Sequence, residues 1–170
     1  MELLELMKKR YSCRKFSDKC IPKELIHKIL ESARLSPTAV NFEPQKILVL
    51  ESNDSLEKLK KCTNSHFCAP LAFIISYDKN ICWKREYDNH LSGEVDAAII
   101  TTHMMLMIEE LGLGATWVMH FDPQKLKEEF SLKDNIIPVA ILPCGYKAID
   151  SLPSPRHSIR KNIDEFTEYI

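Results

Sequence analysis

Arg10-Tyr11-Ser12-Cys13-Arg14-Lys15-Phe16 is the stretch against which the rest of the chain is read. It sets three cations and a hydroxyl in one short run and closes on an aromatic. Ahead of it, Leu3, Leu4, Leu6 and Met7 form an apolar set at helical spacing. A helix that ends in such a run brings guanidinium forks and a hydroxyl to one spot. That spot suits a phosphate, because arginine donates in pairs to oxyanions. A solvated basic turn has the same local composition, so the meaning of the run depends on its surroundings.

Working outward, Met1 to Lys9 reads as a short helix. Pro22 opens a second, with Leu25, Ile26, Ile29, Leu30 and Ala33 as its buried stripe to about Leu35. The two prolines and short polar side chains of residues 36–44 make an ordered loop. Lys46–Leu50 is a strand, and Asn53 or Asp54 can cap a helix from Ser55 to about Lys61. Ala69–Tyr77 is apolar on both faces and reads as a central strand. Asp78–Ser92 is polar and irregular, a lid or a surface loop, with Trp83 and Tyr87 conspicuous in it.

Glu94–Leu111 is the longest helical pattern, apolar around much of its circumference, and Gly112 caps it. Ala115–Met119 reads as a third strand and Asp122-Pro123 opens another helix to about Phe130. Ile136–Cys144 reads as a fourth strand whose two prolines suggest an edge or terminal position. Ile163–Ile170 is a short closing helix or an extended tail. No repeat or linker interrupts residues 1–170, so one domain with a three-layer or α+β core is expected.

Hydrophobic residues make up 45% and charged residues 28% of the 170, with a net charge of −1. That balance fits a globular chain and disfavours nonspecific nucleic-acid or membrane-surface binding, which needs a basic excess. No apolar run reaches the roughly 18–20 residues of a membrane span. The first ten residues carry Glu2 and Glu5 and lack a signal-peptide pattern, so a cytoplasmic location is expected. The six cysteines form no CxxC pair, so no metal site is expected.

Placed in order, five segments resemble the flavin-dependent nitroreductase family over nearly the full length. They are RYSCRKF (10–16), SPTAVNFEPQKILVL (36–50), DAAIITTHMMLMIEELGLGATWV with FDP after it (96–118, 121–123), PVAILPCGY (138–146) and IRKNIDEF (159–166). The resemblance implies an α+β, three-layer α/β/α fold with a mixed central sheet. It also implies an obligate homodimer with FMN at the subunit interface. Matched to the family motif, Arg10, Tyr11 and Ser12 would hold the FMN phosphate and ribityl chain. Arg14 falls where the family places a cation near the flavin pyrimidine edge, and a fixed cation there offsets charge on the reduced ring. Pro37, Thr38, Ala39 and Asn41 match the loop that comes from the partner subunit; a local turn cap is the lesser reading of Asn41 alone. Trp117, Val118 and Met119 match the segment whose backbone faces flavin N5, and Arg160-Lys161 matches a late basic pair that returns to the phosphate. Lys61 and Asn64 are weaker matches to further polar contacts.

Departures accompany the match. The family loop often reads N-x-Q-P-W, whereas this chain has Asn41-Phe42-Glu43-Pro44-Gln45. Met119 and His120 are bulky where small residues are usual, which bears on the acceptor that fits over the ring. The implied reaction passes a hydride from NAD(P)H to the flavin and then reduces a small organic acceptor, such as a nitroaromatic or quinone, in a ping-pong cycle. No GxGxxG follows a strand, since Gly112 and Gly114 follow a helix, so a separate Rossmann site is not supported; the single shared pocket that the resemblance implies would explain that absence. His120 is the one candidate proton donor, and packing or hydrogen bonding at a wall is the competing reading. Two alternatives stay open: another enzyme of the same superfamily, and a flavin-binding storage or sensor protein without turnover.

Overall fold

In a computed structural model that describes residues 2–170, nine main elements alternate along the chain. They are α1 (Leu3–Lys9), α2 (Lys23–Arg34), β1 (Gln45–Leu50), α3 (Asn53–Cys62), β2 (Leu71–Asp78), α4 (Gly93–Glu110), β3 (Leu113–Ala115), α5 (Pro123–Glu129) and β4 (Ile136–Tyr146). Single 3-10 turns occupy Ala39–Asn41, Pro155–Ser158 and Ile163–Glu165. Met1, expected to begin the first helix, lies outside the described residues.

Alternation on β2 builds the layers. Leu71, Phe73 and Ile75 face one side, where α2 offers Ile26, Ile29 and Ala33, and α4 offers Ala97, Ile100, Met104 and Ile108. Ala72 and Ile74 face the other side and meet Leu59 of α3 and Leu126 of α5. With helices on both faces, β2 has no polar face, and this is why its sequence is an unbroken apolar run. The fold is thus α+β in three layers. Full burial of a side chain such as Phe73 or Ile74 is worth about 1.5–3 kcal/mol. Surface pairs such as Lys8–Glu5, more than half exposed on both sides, are worth about 0–1 kcal/mol, so the core decides the architecture.

The sheet order is β1-β2-β4-β3, and every strand pair in it is antiparallel. The parallel component of the expected mixed sheet is confined to a bridge between Ser12 and Ala115. Through that bridge the basic run docks on the β3 edge. The Cys13 N–H donates to the Ala115 carbonyl at 3.0 Å, and Ser17 donates to Tyr146 at 2.9 Å.

Three expectations about elements are corrected. The third strand is Leu113–Ala115, not Ala115–Met119. The next rung would pair Thr116 with Pro143, which has no N–H, and the Thr116 N–H reaches the Pro143 carbonyl only at 3.4 Å. Pairing resumes at Val118 and Ile141, with both bonds at 2.9 Å. Second, β4 is interior despite its prolines. Pro138 sits at the register shift opposite Ile75 and Ser76, and Pro143 at the break beyond β3, so neither interrupts a regular rung. Third, α3 is capped by Ser52, whose Oγ accepts from the Ser55 N–H at 3.2 Å, one residue before Asn53. Gly112 ends α4 at φ +74°, as expected of a cap. The Asp78–Ser92 segment folds back on itself through a Lys84–Leu91 bridge and a forked Arg85–Asp88 pair. The closing segment is one 3-10 turn and an exposed tail.

Candidate functional site

The basic run leaves the C-terminus of α1 with the Arg10 N–H bonded to the Leu6 carbonyl at 2.9 Å. From there Arg10, Ser12 and Arg14 enter one cleft of about 460 Å³. Its far wall is the turn at Pro155–Ser158, which adds Arg156 and His157, followed by Arg160. Ser154 starts that turn by accepting from the Arg156 N–H at 3.3 Å. The Arg160 guanidinium folds back to the Ile159 carbonyl at 2.9 Å. Four arginines thus face one space that no carboxylate lines. Nη1 of Arg10 is buried and has no hydrogen-bond partner among the described residues. A buried cationic donor left unmade costs roughly 1–3 kcal/mol or more, so the cleft fits an oxyanion.

Arg14 is the hinge between this cleft and the rest of the site. It also lines a 310 Å³ hollow beside Ser12, Lys15 and Ser151, and a 160 Å³ recess walled by Trp117, Val118, Met119 and His120. The recess has its own orphan, the buried indole N–H of Trp117. Its floor is fixed by Thr63, whose hydroxyl donates to the His120 carbonyl at 2.6 Å. Met119 and His120 continue into a further 420 Å³ hollow with Lys61 and Asn64. There Lys61 is engaged by Glu129 at 3.0 Å. The arrangement can hold an anion at one end and a flat group beside Trp117, with a guanidinium between them.

The structure brings together Arg10, Tyr11, Ser12, Arg14 and Arg160 in the cleft, and Trp117, Val118, Met119 and His120 in the recess. It does not bring in Lys161, which is exposed and lines neither space. Pro37, Thr38, Ala39 and Asn41 also stay away from the cleft of their own chain. Their loop is held by other means. The Ala39 N–H donates to Oδ1 of buried Asp96 at 2.8 Å, and the Ser92 hydroxyl donates to Oδ2 at 2.7 Å. Thr38 Oγ1 accepts from the Glu43 N–H at 3.1 Å, and Asn41 donates to the Glu43 carboxylate at 3.4 Å. Val40, Asn41 and Glu43 all sit at left-handed φ, near 56°, 56° and 49°, which is costly for a β-branched residue such as Val40. Sequence reasoning missed Arg156, His157 and Asp96. Ser154-Pro155, a capping residue before a proline, was the available signal for the turn that carries the first two.

A further hollow, about 560 Å³, lies elsewhere and is mainly apolar. Leu3, Leu6 and Met7 of α1, Leu35, and Leu106 and Met107 of α4 line it. No helix among the described residues is long and apolar enough to cross a membrane.

Comparison with known proteins identifies the class first: the fold is that of the nitroreductase-type oxidoreductases. A solved nitroreductase family protein from Clostridium difficile 630 superposes at a TM-score of 0.93, with 40% identity over 99% of this chain and 98% of that one. The chain belongs to the nitroreductase family, whose sequence model matches residues 7–67 and 62–146. A relative from Methanothermobacter thermautotrophicus, provisionally assigned as an NADH dehydrogenase/NAD(P)H nitroreductase, is 31% identical over 157 residues, 87% of this chain and 78% of its own. A solved protein from Clostridium difficile R20291, described as an FMN-dependent nitroreductase, is 25% identical at a TM-score of 0.76, covering 94% of this chain and 98% of that one. The chain is accordingly an oxidoreductase of the NAD(P)H-linked kind for which its relatives are named.

Proposed function

We propose that this chain is an FMN-dependent NAD(P)H oxidoreductase, one domain per protomer, that works as a cytoplasmic homodimer on a small organic electron acceptor such as a nitroaromatic or quinone. The observation that carries the proposal is the carboxylate-free cleft that gathers Arg10, Ser12, Arg156 and Arg160, with Nη1 of Arg10 behind it, left without a partner among the described residues. A terminal phosphate satisfies these donors together. Bound there, FMN supplies a ring that accepts a hydride from NAD(P)H and returns two electrons to an acceptor.

The chain's own residues do the rest. Arg10, Ser12, Arg156 and Arg160 bind the phosphate end. Arg14 keeps a positive charge between cleft and recess, where it offsets negative charge gathering on a reduced ring. Trp117, Val118 and Met119 wall the recess. His120 is exposed and its carbonyl is held by Thr63, so it acts here as a wall residue. The loop carrying Pro37, Thr38, Ala39 and Asn41 is supplied by the second protomer, which explains why it shapes no cleft at home. Phe42 and Val40, exposed at 50% and 65% in a single chain, then become contacts.

The test is the visible spectrum of the FMN-loaded protein under anaerobic titration with NADH and with NADPH. Retained flavin that bleaches on titration and recovers with a quinone or nitroaromatic is the expected result. Flavin retained but never reduced would point to storage or sensing, and protein that cannot be loaded would reject the proposal.

A further inference from the structure

Lys147 follows β4 directly, and its backbone is bridged to Phe16, the aromatic that closes the basic run. Its ammonium donates to both oxygens of Glu109 at 2.8 and 2.7 Å. Glu109 lies near the end of α4 with its side chain 2% exposed, so this is a buried carboxylate with a dedicated cation. The same ammonium sits 4.9 Å from the centroid of the Tyr11 ring. An ammonium has three N–H donors; two serve Glu109, and the ring face lies within cation–π range.

Tyr11 is fixed at its other end, where the hydroxyl donates to the Ser151 carbonyl at 3.1 Å. Its ring meets His157 edge to face at 6.3 Å. The His157 Nε2 donates to the Lys8 carbonyl at 3.0 Å, and His157 stands on the turn that presents Arg156. Contacts therefore run without a gap from Glu109 through Lys147 and Tyr11 to the far wall of the arginine cleft. Gly114 leaves the passage open: a Cβ there would lie 2.9 Å from the Lys147 Cγ and 2.8 Å from the Cys13 Sγ.

We infer that Glu109 and Lys147 are positioning residues for the cleft: the buried ion pair holds the Tyr11 ring, and the ring docks the 154–160 turn so that Arg156 and Arg160 face Arg10. What the cleft holds rests on the FMN reading; what places its wall rests on these contacts alone.

The test has one arm without FMN and one with it. In the FMN-free protein, amide hydrogen exchange is followed at His157 and Ile159, whose N–H groups close the turn onto Ser154 and Arg156. Lys147→Met also leaves the Glu109 carboxylate without its cation, so some loss throughout is expected, but exchange at these two amides should speed about 5- to 30-fold more than at β2 and β4 amides, the size of the lost cation–π contact. Lys147→Arg, which keeps a cation for both partners, should restore most of the protection. In the second arm, the FMN dissociation constant should rise by a similar factor in Lys147→Met. Unchanged exchange at His157 and Ile159, or equal loss across the whole sheet, would overturn the inference. If Lys147→Met does not fold, Tyr11→Leu decides, with the same expected and contradicting results. A wild type that ignores FMN while Lys147→Met still frees the turn would refute the FMN reading and leave the positioning role standing.

Discussion

Arg10 and Arg14 are four residues apart and are proposed to do different work. Arg10 is enclosed, with one nitrogen unsatisfied, whereas Arg14 is exposed and borders three adjoining spaces. Arg10→Ala should therefore weaken FMN binding by about 10- to 100-fold, the worth of a charged hydrogen bond at roughly 1.5–3 kcal/mol, with little change in the rate of flavin reduction. Arg14→Ala should do the reverse. Stopped-flow reduction and flavin fluorescence titration measure the two quantities, and equal effects of both substitutions on both would contradict the division. Arg10, Ser12 and Arg14 were legible because they crowd one short run. Arg156 and His157 were not, because nothing local distinguishes a lone Arg-His from a solvated face; only the turn that returns the chain end to α1 gives them a role. Lys161 lies outside the cleft of its own chain for a related reason. Adjacent residues on an extended segment project to different sides, so Arg160 and Lys161 do not share the cleft.

Among the elements, α2, α4 and β2 were readable because each follows one clear rule: an apolar stripe, a long apolar helix ended by glycine, and a strand covered on both faces. β3 was placed too late and β4, though read as a strand, was given an edge position, because whether the prolines of β4 cost a bond depends on the register of the neighbouring strand. A proline marks a missing donor, but only the partner's register shows whether that donor was needed. The cap of α3 offers a check at this scale. Ser52→Ala should cost about 1 kcal/mol in denaturant unfolding, and Asn53→Ala much less, because Ser52 supplies the acceptor for the first turn. A larger loss from Asn53→Ala would place the cap where the sequence alone had put it. The loop at residues 37–43 was legible as an ordered segment; its anchor on Asp96 was not, since the two are 57 residues apart.

For the molecule as a whole, the apolar groove of α1 and α4 and the strained loop make one argument. A 560 Å³ hollow lined by Leu3, Met7 and Leu106, and a loop that turns Val40 and Phe42 outward, are the surfaces that the proposed second copy of the chain would cover. Met7 is 44% exposed in one protomer, so Met7→Asp should leave the monomer folded. In the proposed dimer the same change buries a charge and should raise the dissociation constant at least about tenfold. Light scattering would show the shift to monomer, and the variant should lose FMN with it; a dimer of unchanged strength would move the interface elsewhere. Above all stands the proposed convergence of both ends of the chain on one phosphate. Riboflavin is FMN without that phosphate, so comparing the two by fluorescence titration isolates it. FMN should bind about 100-fold tighter or more, in keeping with several charge-assisted hydrogen bonds, and the gap should shrink in Arg10→Ala. Equal affinities for FMN and riboflavin would contradict the account at its centre.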